Sequence, residues 1–179
     1  DPKVLSIQIT IYRVAKKSAV IKHLCAAAEN GKDVTALVEL RARFDERNNI
    51  GWAKELEDAG CRVIYGVEGY KCHSKLCLIT RREKNGLSYV TQVGTGNYNE
   101  KTSAIYTDFS LLTARQDIAE DAVAFFQNML IGNLRGEYHK LLVAPVSLKA
   151  TLLRLIDGEI ARGNRGHIIL KVNSVTERE

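Results

Sequence analysis

The order of strand and helix patterns at the start of the chain most constrains its fold. Residues 4–12 carry apolar side chains on both faces of a predicted strand, which is typical of a strand inside a sheet. Ser18 is a candidate N-cap for a helix over residues 19–30, and residues 33–40 predict the next strand. A strand, helix and strand in this order favour a right-handed parallel crossover, so we expect an α/β sheet.

The pattern changes along the middle of the chain. A helix over residues 49–59 and a strand over 61–65 continue the α/β pattern. From Tyr70 to about Thr113 three strands follow one another through hairpin links, one of them the Lys84-Asn85-Gly86 turn. We therefore expect a three-layer α/β fold with a mixed, largely parallel central sheet flanked by helices.

A glycine-rich stretch marks a predicted domain boundary. Gly132, Asn133 and Gly136 follow an amphipathic helix over residues 117–131. We expect a first domain over residues 4–135 and the start of a second over residues 138–179.

The second domain is predicted to be truncated and related to the first. Its expected elements are strands over 140–144 and 167–172 and a helix over 146–161. Residues 168–175 repeat the apolar pattern of residues 7–14, so the chain would stop after the opening strand of a related domain.

Composition indicates a soluble protein with anionic partners. The chain has 179 residues, 45% of them hydrophobic, and a formal net charge of +5. It has no apolar run near the ~20 residues of a membrane helix. Its four cysteines lack metal-ligand spacing and lie in predicted helices and strands, which favours free thiols and a cytoplasmic location: Cys25, Cys61, Cys72 and Cys77.

A histidine and a lysine two residues apart point to anion chemistry. Residues 76–79 are an apolar run, and alternation along a strand would place His73 and Lys75 on one face. Side by side, an imidazole and an ammonium are costly to hold unless an anion such as phosphate neutralises them. The lysine should also lower the pKa of the histidine and leave a nitrogen lone pair available for attack on phosphorus.

A glycine-rich turn strengthens that hypothesis. Residues 87–93 predict a strand that ends in Gly94-Thr95-Gly96-Asn97. Glycines allow backbone amides to approach an anion, and Asn97 can donate to a phosphoryl oxygen. Either segment alone occurs often by chance, so the hypothesis rests on their combination at the ends of adjacent strands.

Arginines follow the first two strands directly. The carboxyl ends of parallel strands meet at one edge of a sheet, where α/β proteins bind ligands. Arg13 and Arg43 are the candidates for gripping phosphoryl oxygens, whereas Arg41 and Arg47 are interpreted as surface charges.

The His-x-Lys and Gly-Thr-Gly-Asn pair resembles a half-site of the phospholipase D superfamily. Three further blocks in the same order resemble the first catalytic domain of bacterial polyphosphate kinases: residues 11–14, 39–46 and 105–109. The resemblance runs from about residue 4 to the end of the chain and implies a phospholipase D-like three-layer fold.

The resemblance implies reversible transfer of the terminal phosphate of ATP to inorganic polyphosphate through a phosphohistidine at His73. It implies catalytic roles for His73, Lys75, Asn97 and Asp108. From its position on one face of the last predicted strand, Asp108 is expected to accept a hydrogen bond from the histidine and fix its tautomer. Tyr106 would contact the nucleotide, and Arg13 and Arg43 would clamp phosphates.

The resemblance also implies Mg²⁺ as a cofactor. It would lie near Arg13 and Arg43, which cannot ligate a cation themselves. The expected partners are ATP, ADP and polyphosphate, with a homo-oligomeric full-length protein, no nucleic acid and at most peripheral membrane association. The family's second histidine is absent here, so we expect this chain by itself not to sustain turnover.

Two other functions stay open at this point. One is a phospholipase D-like phosphodiesterase, although Thr80 and Arg81 stand where such enzymes carry an aspartate. The other is a non-catalytic module that binds polyanions through the same arginines.

Overall fold

The structure is a computed structural model that describes residues 1–42 and 46–172. Arg43, one of the two predicted phosphate clamps, lies outside the described residues. So do the last residues of the predicted repeat, 173–175.

The described residues form six strands and five α-helices. The strands are β1 Val4–Ile11, β2 Asp33–Val38, β3 Arg62–Ile64, β4 Lys75–Glu83, β5 Gly86–Gly94 and β6 Ser110–Thr113. The helices are α1 Ala19–Glu29, α2 Glu46–Asp58, α3 Glu100–Ser103, α4 Gln116–Leu130 and α5 Leu148–Ile160. Ser18 caps α1 as predicted, because its side chain accepts from the backbone N–H of Ile21.

The six strands form one mixed sheet in the order β3-β2-β1-β4-β5-β6. β1 pairs with β2, and β2 with β3, in parallel. The pairs β1–β4, β4–β5 and β5–β6 are antiparallel. The predicted mixed α/β sheet is confirmed, but it is not largely parallel, since three of its five strand pairs are antiparallel. One of these three pairs, β4–β5, arises because the chain turns back directly at residues 84–85, with Gly86 at φ +134°.

Each face of the sheet has buried side chains. On one face, odd positions of β1 and even positions of β2 pack with α1 and α2, as Ile9, Val34 and Leu56 show. At the alternate positions, Leu37 and Leu78 are buried outside that cluster, and α4 contacts β4 and β5. Helices therefore flank the sheet, as the predicted three-layer arrangement requires.

The chain divides into two compact units, Asp1–Leu141 and a second that begins at Leu142. The predicted strand over 140–144, whose residues fall on both sides of this division, is not formed. The backbone N–H groups of His139, Lys140 and Leu141 instead donate to the carboxylate of Asp121, at 3.0, 2.5 and 2.8 Å. A side chain has thus replaced the strand partner that these donors would need.

The second unit contains α5 and a short 3-10 turn at Gly163–Arg165. The predicted strand over 167–172 is not formed in the described part of the chain, and the N–H of His167 donates to Glu159 at 3.0 Å. The relation of this unit to a second catalytic domain stays a prediction. Across the described ranges, every helix is too short or too polar to cross a membrane.

Candidate active site at one edge of the sheet

The register of the sheet brings the predicted site residues to one edge. Lys75, the first residue of β4, pairs with Gly94, the last residue of β5. Gly94 pairs in turn with Ser110, the first residue of β6. β1 and β2 end at this same edge because β4 runs antiparallel to β1. The edge therefore carries Arg13 after β1, His73 before β4, Asn97 after β5 and Asp108 before β6.

Lys75 lies against the ring of His73. Its Nζ atom is 3.1 Å from Nδ1 and 3.2 Å from Nε2 of the histidine, and it donates to the His73 carbonyl at 2.6 Å. The predicted proximity is confirmed, but strand alternation does not produce it. His73 precedes β4, and the buried lysine side chain reaches back to it.

Electrostatics favour a neutral His73. Desolvation lowers the pKa of the imidazole below its ordinary value of 6.5, and the charges of Lys75 and Arg13 lower it further. Burial also lowers the pKa of Lys75, to about 8, while the nearby Asp108 opposes that change. The histidine ring is exposed and keeps a lone pair near neutral pH, as a nucleophile requires.

Tyr12 is a site residue that the sequence analysis missed. Its ring meets the His73 ring edge-on, with 4.4 Å between centroids and 72° between planes. The Arg13 guanidinium carbon lies 5.4 Å from the tyrosine ring centroid and the Lys75 Nζ 5.1 Å from it. Tyr12 thus packs among the histidine and both cations. The sequence could have indicated Tyr12 as a site residue, because it stands directly before Arg13 at the end of β1.

The glycine-rich turn after β5 is held against Asp108. Thr95 Oγ1 donates to Asp108 Oδ1 at 2.8 Å, and the Phe109 N–H donates to Thr95 Oγ1 at 3.0 Å. A Cβ at Gly96 would lie 2.5 Å from Asp108 Oδ2, so a side chain there would have to displace the Asp108 carboxylate. Asp108 therefore accepts from Thr95, whereas we had expected it to accept from His73.

The other predicted residues stand at the same edge. Oδ1 of Asn97 is a buried acceptor without a hydrogen-bond partner among the described residues, and donation from the Asn97 amide to a phosphoryl oxygen stays a prediction. Tyr106 is 58% exposed, and its ring is accessible to a nucleotide. Arg41 is exposed as expected, and its guanidinium also donates to the Tyr70 carbonyl.

A buried carboxylate beneath the site was also missed. Glu39 follows β2 and is 2% exposed, and its carboxylate accepts from the backbone N–H groups of Arg41 and Cys72, each at 2.8 Å. The available signal was a lone acidic residue at the end of the apolar run of β2.

The described residues do not form a magnesium site of their own. They contain no cluster of three or more metal-ligating side chains, and cations surround the histidine. Mg²⁺ usually reaches such sites on nucleotide phosphates. The predicted magnesium therefore stays a prediction.

The cysteines do not compete with His73 as nucleophiles. All four are free. Burial raises the pKa of Cys72, the cysteine next to His73, so its thiol stays protonated at neutral pH.

The fold and the site define a class of protein: an α/β domain of phospholipase D-like fold with a histidine and lysine among cations at one sheet edge. The sequence model of one protein family, the polyphosphate kinase C-terminal domain 1, matches residues 1–134 of this chain. The chain belongs to the polyphosphate kinase family.

Individual relatives support this assignment. Polyphosphate kinase of Staphylococcus saprophyticus is 49% identical over all of this chain and 25% of its own length. That of Halalkalibacterium halodurans is 48% identical over 99% of this chain and 26% of its own length. The crystal structure of polyphosphate kinase from Porphyromonas gingivalis superposes with a TM-score of 0.77 at 38% identity, covering 93% of this chain and 28% of that one. The chain thus spans about a quarter of the length of these relatives.

Proposed function

We propose that this chain carries the nucleophilic half-site of an ATP:polyphosphate phosphotransferase. Membership of the polyphosphate kinase family supports the substrates ATP and polyphosphate. The observation that carries the proposal is the exposed His73 ring, its pKa lowered by desolvation and by Lys75 and Arg13.

In the first step a ring nitrogen of His73 attacks the terminal phosphorus of ATP. A nitrogen–phosphorus bond forms while the bond to the bridging oxygen breaks, and ADP leaves with that electron pair. In the second step a terminal oxygen of polyphosphate attacks the phosphohistidine, and the imidazole regains its lone pair. Both steps are reversible.

The surrounding residues stabilise the charge on the transferring group. Lys75 and Arg13 supply positive charge, and Asn97 supplies a polar side chain at the turn after β5. Arg43 is proposed as a second phosphate clamp and Tyr106 as a contact to the nucleotide. Asp108 is proposed to hold the turn and keep Lys75 charged, since its carboxylate raises the pKa of that lysine. Magnesium, when bound with the nucleotide, would shield its phosphates.

Labelling of the full-length protein with ATP carrying a radioactive terminal phosphate tests this proposal. We expect an acid-labile, base-stable label on the wild type and none on the His73→Ala variant. His139→Ala is the matched control, because His139 lies in the loop held by Asp121. Label of this type that persists on the His73→Ala variant would refute the proposal. Metal-independent hydrolysis of phosphodiesters without ATP would select the phosphodiesterase alternative.

A further inference from the structure

The Glu39 carboxylate links two loops of the candidate site: residues 39–42, which follow β2, and residues 70–74, which precede β4. Glu39 follows β2 and is 2% exposed, and a buried carboxylate is costly unless hydrogen bonds satisfy it. One oxygen accepts from the Arg41 N–H and the other from the Cys72 N–H, each at 2.8 Å. Hydrogen bonds to an ionised acceptor are stronger than neutral ones, so both loops are tied to one charge.

The backbone of Glu39 is itself fixed. Its N–H donates to the Ile11 carbonyl at 2.9 Å, and its carbonyl accepts from the Asn49 side chain at 2.8 Å. The same Asn49 amide donates to the Tyr12 carbonyl at 2.8 Å. The carboxylate therefore stands on a rigid base formed by the ends of β1 and β2 and by α2.

The loop that carries His73 is held at two places. After the histidine, Thr10 Oγ1 accepts from the Leu76 N–H at 3.0 Å and donates to the Ser74 carbonyl at 2.8 Å. Before the histidine, the hydrogen bond from the Cys72 N–H to the buried Glu39 carboxylate is the anchor, because β4 begins only at Lys75. Two further hydrogen bonds join these loops at the surface: Lys71 Nζ donates to the Arg41 carbonyl at 2.8 Å, and the Arg41 guanidinium donates to the Tyr70 carbonyl.

We propose that Glu39 is a positioning residue for the nucleophile. By holding the N–H of Cys72, it fixes the backbone on one side of His73 and so sets the ring against Tyr12 and Lys75. By holding the N–H of Arg41, it also fixes the backbone directly after β2 relative to the histidine. This inference rests on the proposed function, because it assigns Glu39 to the step in which His73 attacks phosphorus.

The test compares Glu39→Gln with Asp121→Asn in the full-length protein. Glutamine keeps the shape of the side chain but turns an NH₂ group toward one of the two N–H donors. Asp121 is the matched control, since it is also 2% exposed and also accepts from backbone N–H groups, in the loop at residues 139–141. The readouts are the single-turnover rate of His73 phosphorylation, the KM for ATP, and hydrogen exchange of residues 70–76.

For Glu39→Gln we expect a fall in the phosphorylation rate of about tenfold to a hundredfold with a KM change below about threefold, since misplacing a reacting group slows chemistry more than binding. Hydrogen exchange at residues 70–76 should become faster. Asp121→Asn should leave all three readouts at the wild-type level. A wild-type phosphorylation rate in Glu39→Gln would overturn the inference, and so would a slower rate with unchanged exchange at residues 70–76.

A second variant covers the case in which Glu39→Gln does not fold. Glu39→Asp keeps the charge but is one methylene too short to reach both donors, so its phosphorylation should also be slower than wild type. A wild-type rate in this variant would overturn the inference. The proposed function fails separately: His73→Ala then keeps its acid-labile label, whatever the Glu39 variants do.

Discussion

At the scale of residues, the proposed chemistry needs an imidazole that stays neutral beside an ammonium that stays charged. Burial and neighbouring cations lower the pKa of His73, and burial lowers that of Lys75 to about 8. The two groups therefore hold the required states over a window that runs from below pH 6.5 to about pH 8. Outside that window one of the two groups changes its charge.

We expect the proposed phosphorylation of His73 to depend on pH through these two states. The rate should fall below pH 6.5 as His73 gains a proton, and again above about pH 8 as Lys75 loses one. In Lys75→Arg the alkaline fall should disappear, because arginine stays charged, while the acidic fall remains. Single-turnover labelling across pH measures both limbs. An alkaline fall at the same pH in Lys75→Arg would show that another group causes it.

At the scale of elements, the turn between β5 and α3 sets the position of Asp108. Gly96 approaches Asp108 so closely that any side chain must displace the carboxylate, which Thr95 holds at 2.8 Å. Gly51, inside α2, has no atom within 4 Å of its would-be Cβ. Gly51 is therefore the control for substitution of Gly96 by alanine.

Substitution by alanine should have opposite effects at these glycines. Gly96→Ala should destabilise the protein by about 1 kcal/mol through loss of the Thr95–Asp108 hydrogen bond. Gly51→Ala should stabilise it by about 0.5–1 kcal/mol, because alanine is the better helix former. Urea unfolding measures both changes. Equal effects of the same sign at the two positions would contradict the assigned role of Gly96.

At the scale of the whole molecule, Asp121 secures the end of the first unit. Burial alone would raise the pKa of this carboxyl, but hydrogen bonds from the N–H groups of residues 139–141 outweigh it, so the pKa is lowered from 3.8. A lowered folded-state pKa contributes stability above the unfolded value, and this stability is lost as the pH falls through the folded value.

Asp121→Asn should therefore destabilise the protein at pH 7 by about 1–3 kcal/mol, the usual cost of leaving buried partners unsatisfied. The difference from wild type should shrink as the pH falls below 3.8, where the wild-type carboxyl becomes protonated. Urea unfolding at several pH values, with hydrogen exchange at residues 139–141, measures the effect. A difference that is constant with pH would assign the loss to something other than the charge.

The sequence by itself determined the α/β class and the order of the six strands, and it singled out the candidate site residues. Apolar periodicity, the Ser18 cap and the residue 84–86 turn are local signals, so they can be read without the fold. His73, Lys75, Arg13, Asn97 and Asp108 could be chosen because their residue types carry the chemistry.

Only the tertiary structure decided how these residues are held. Tyr12 and Glu39 contact residues 61 and 33 positions away, and Asp121 takes the donors that a strand over residues 140–144 would have used. Such contacts depend on which chain segments the sheet brings together, because a buried donor bonds to the acceptor nearest in space, wherever that acceptor lies in the sequence.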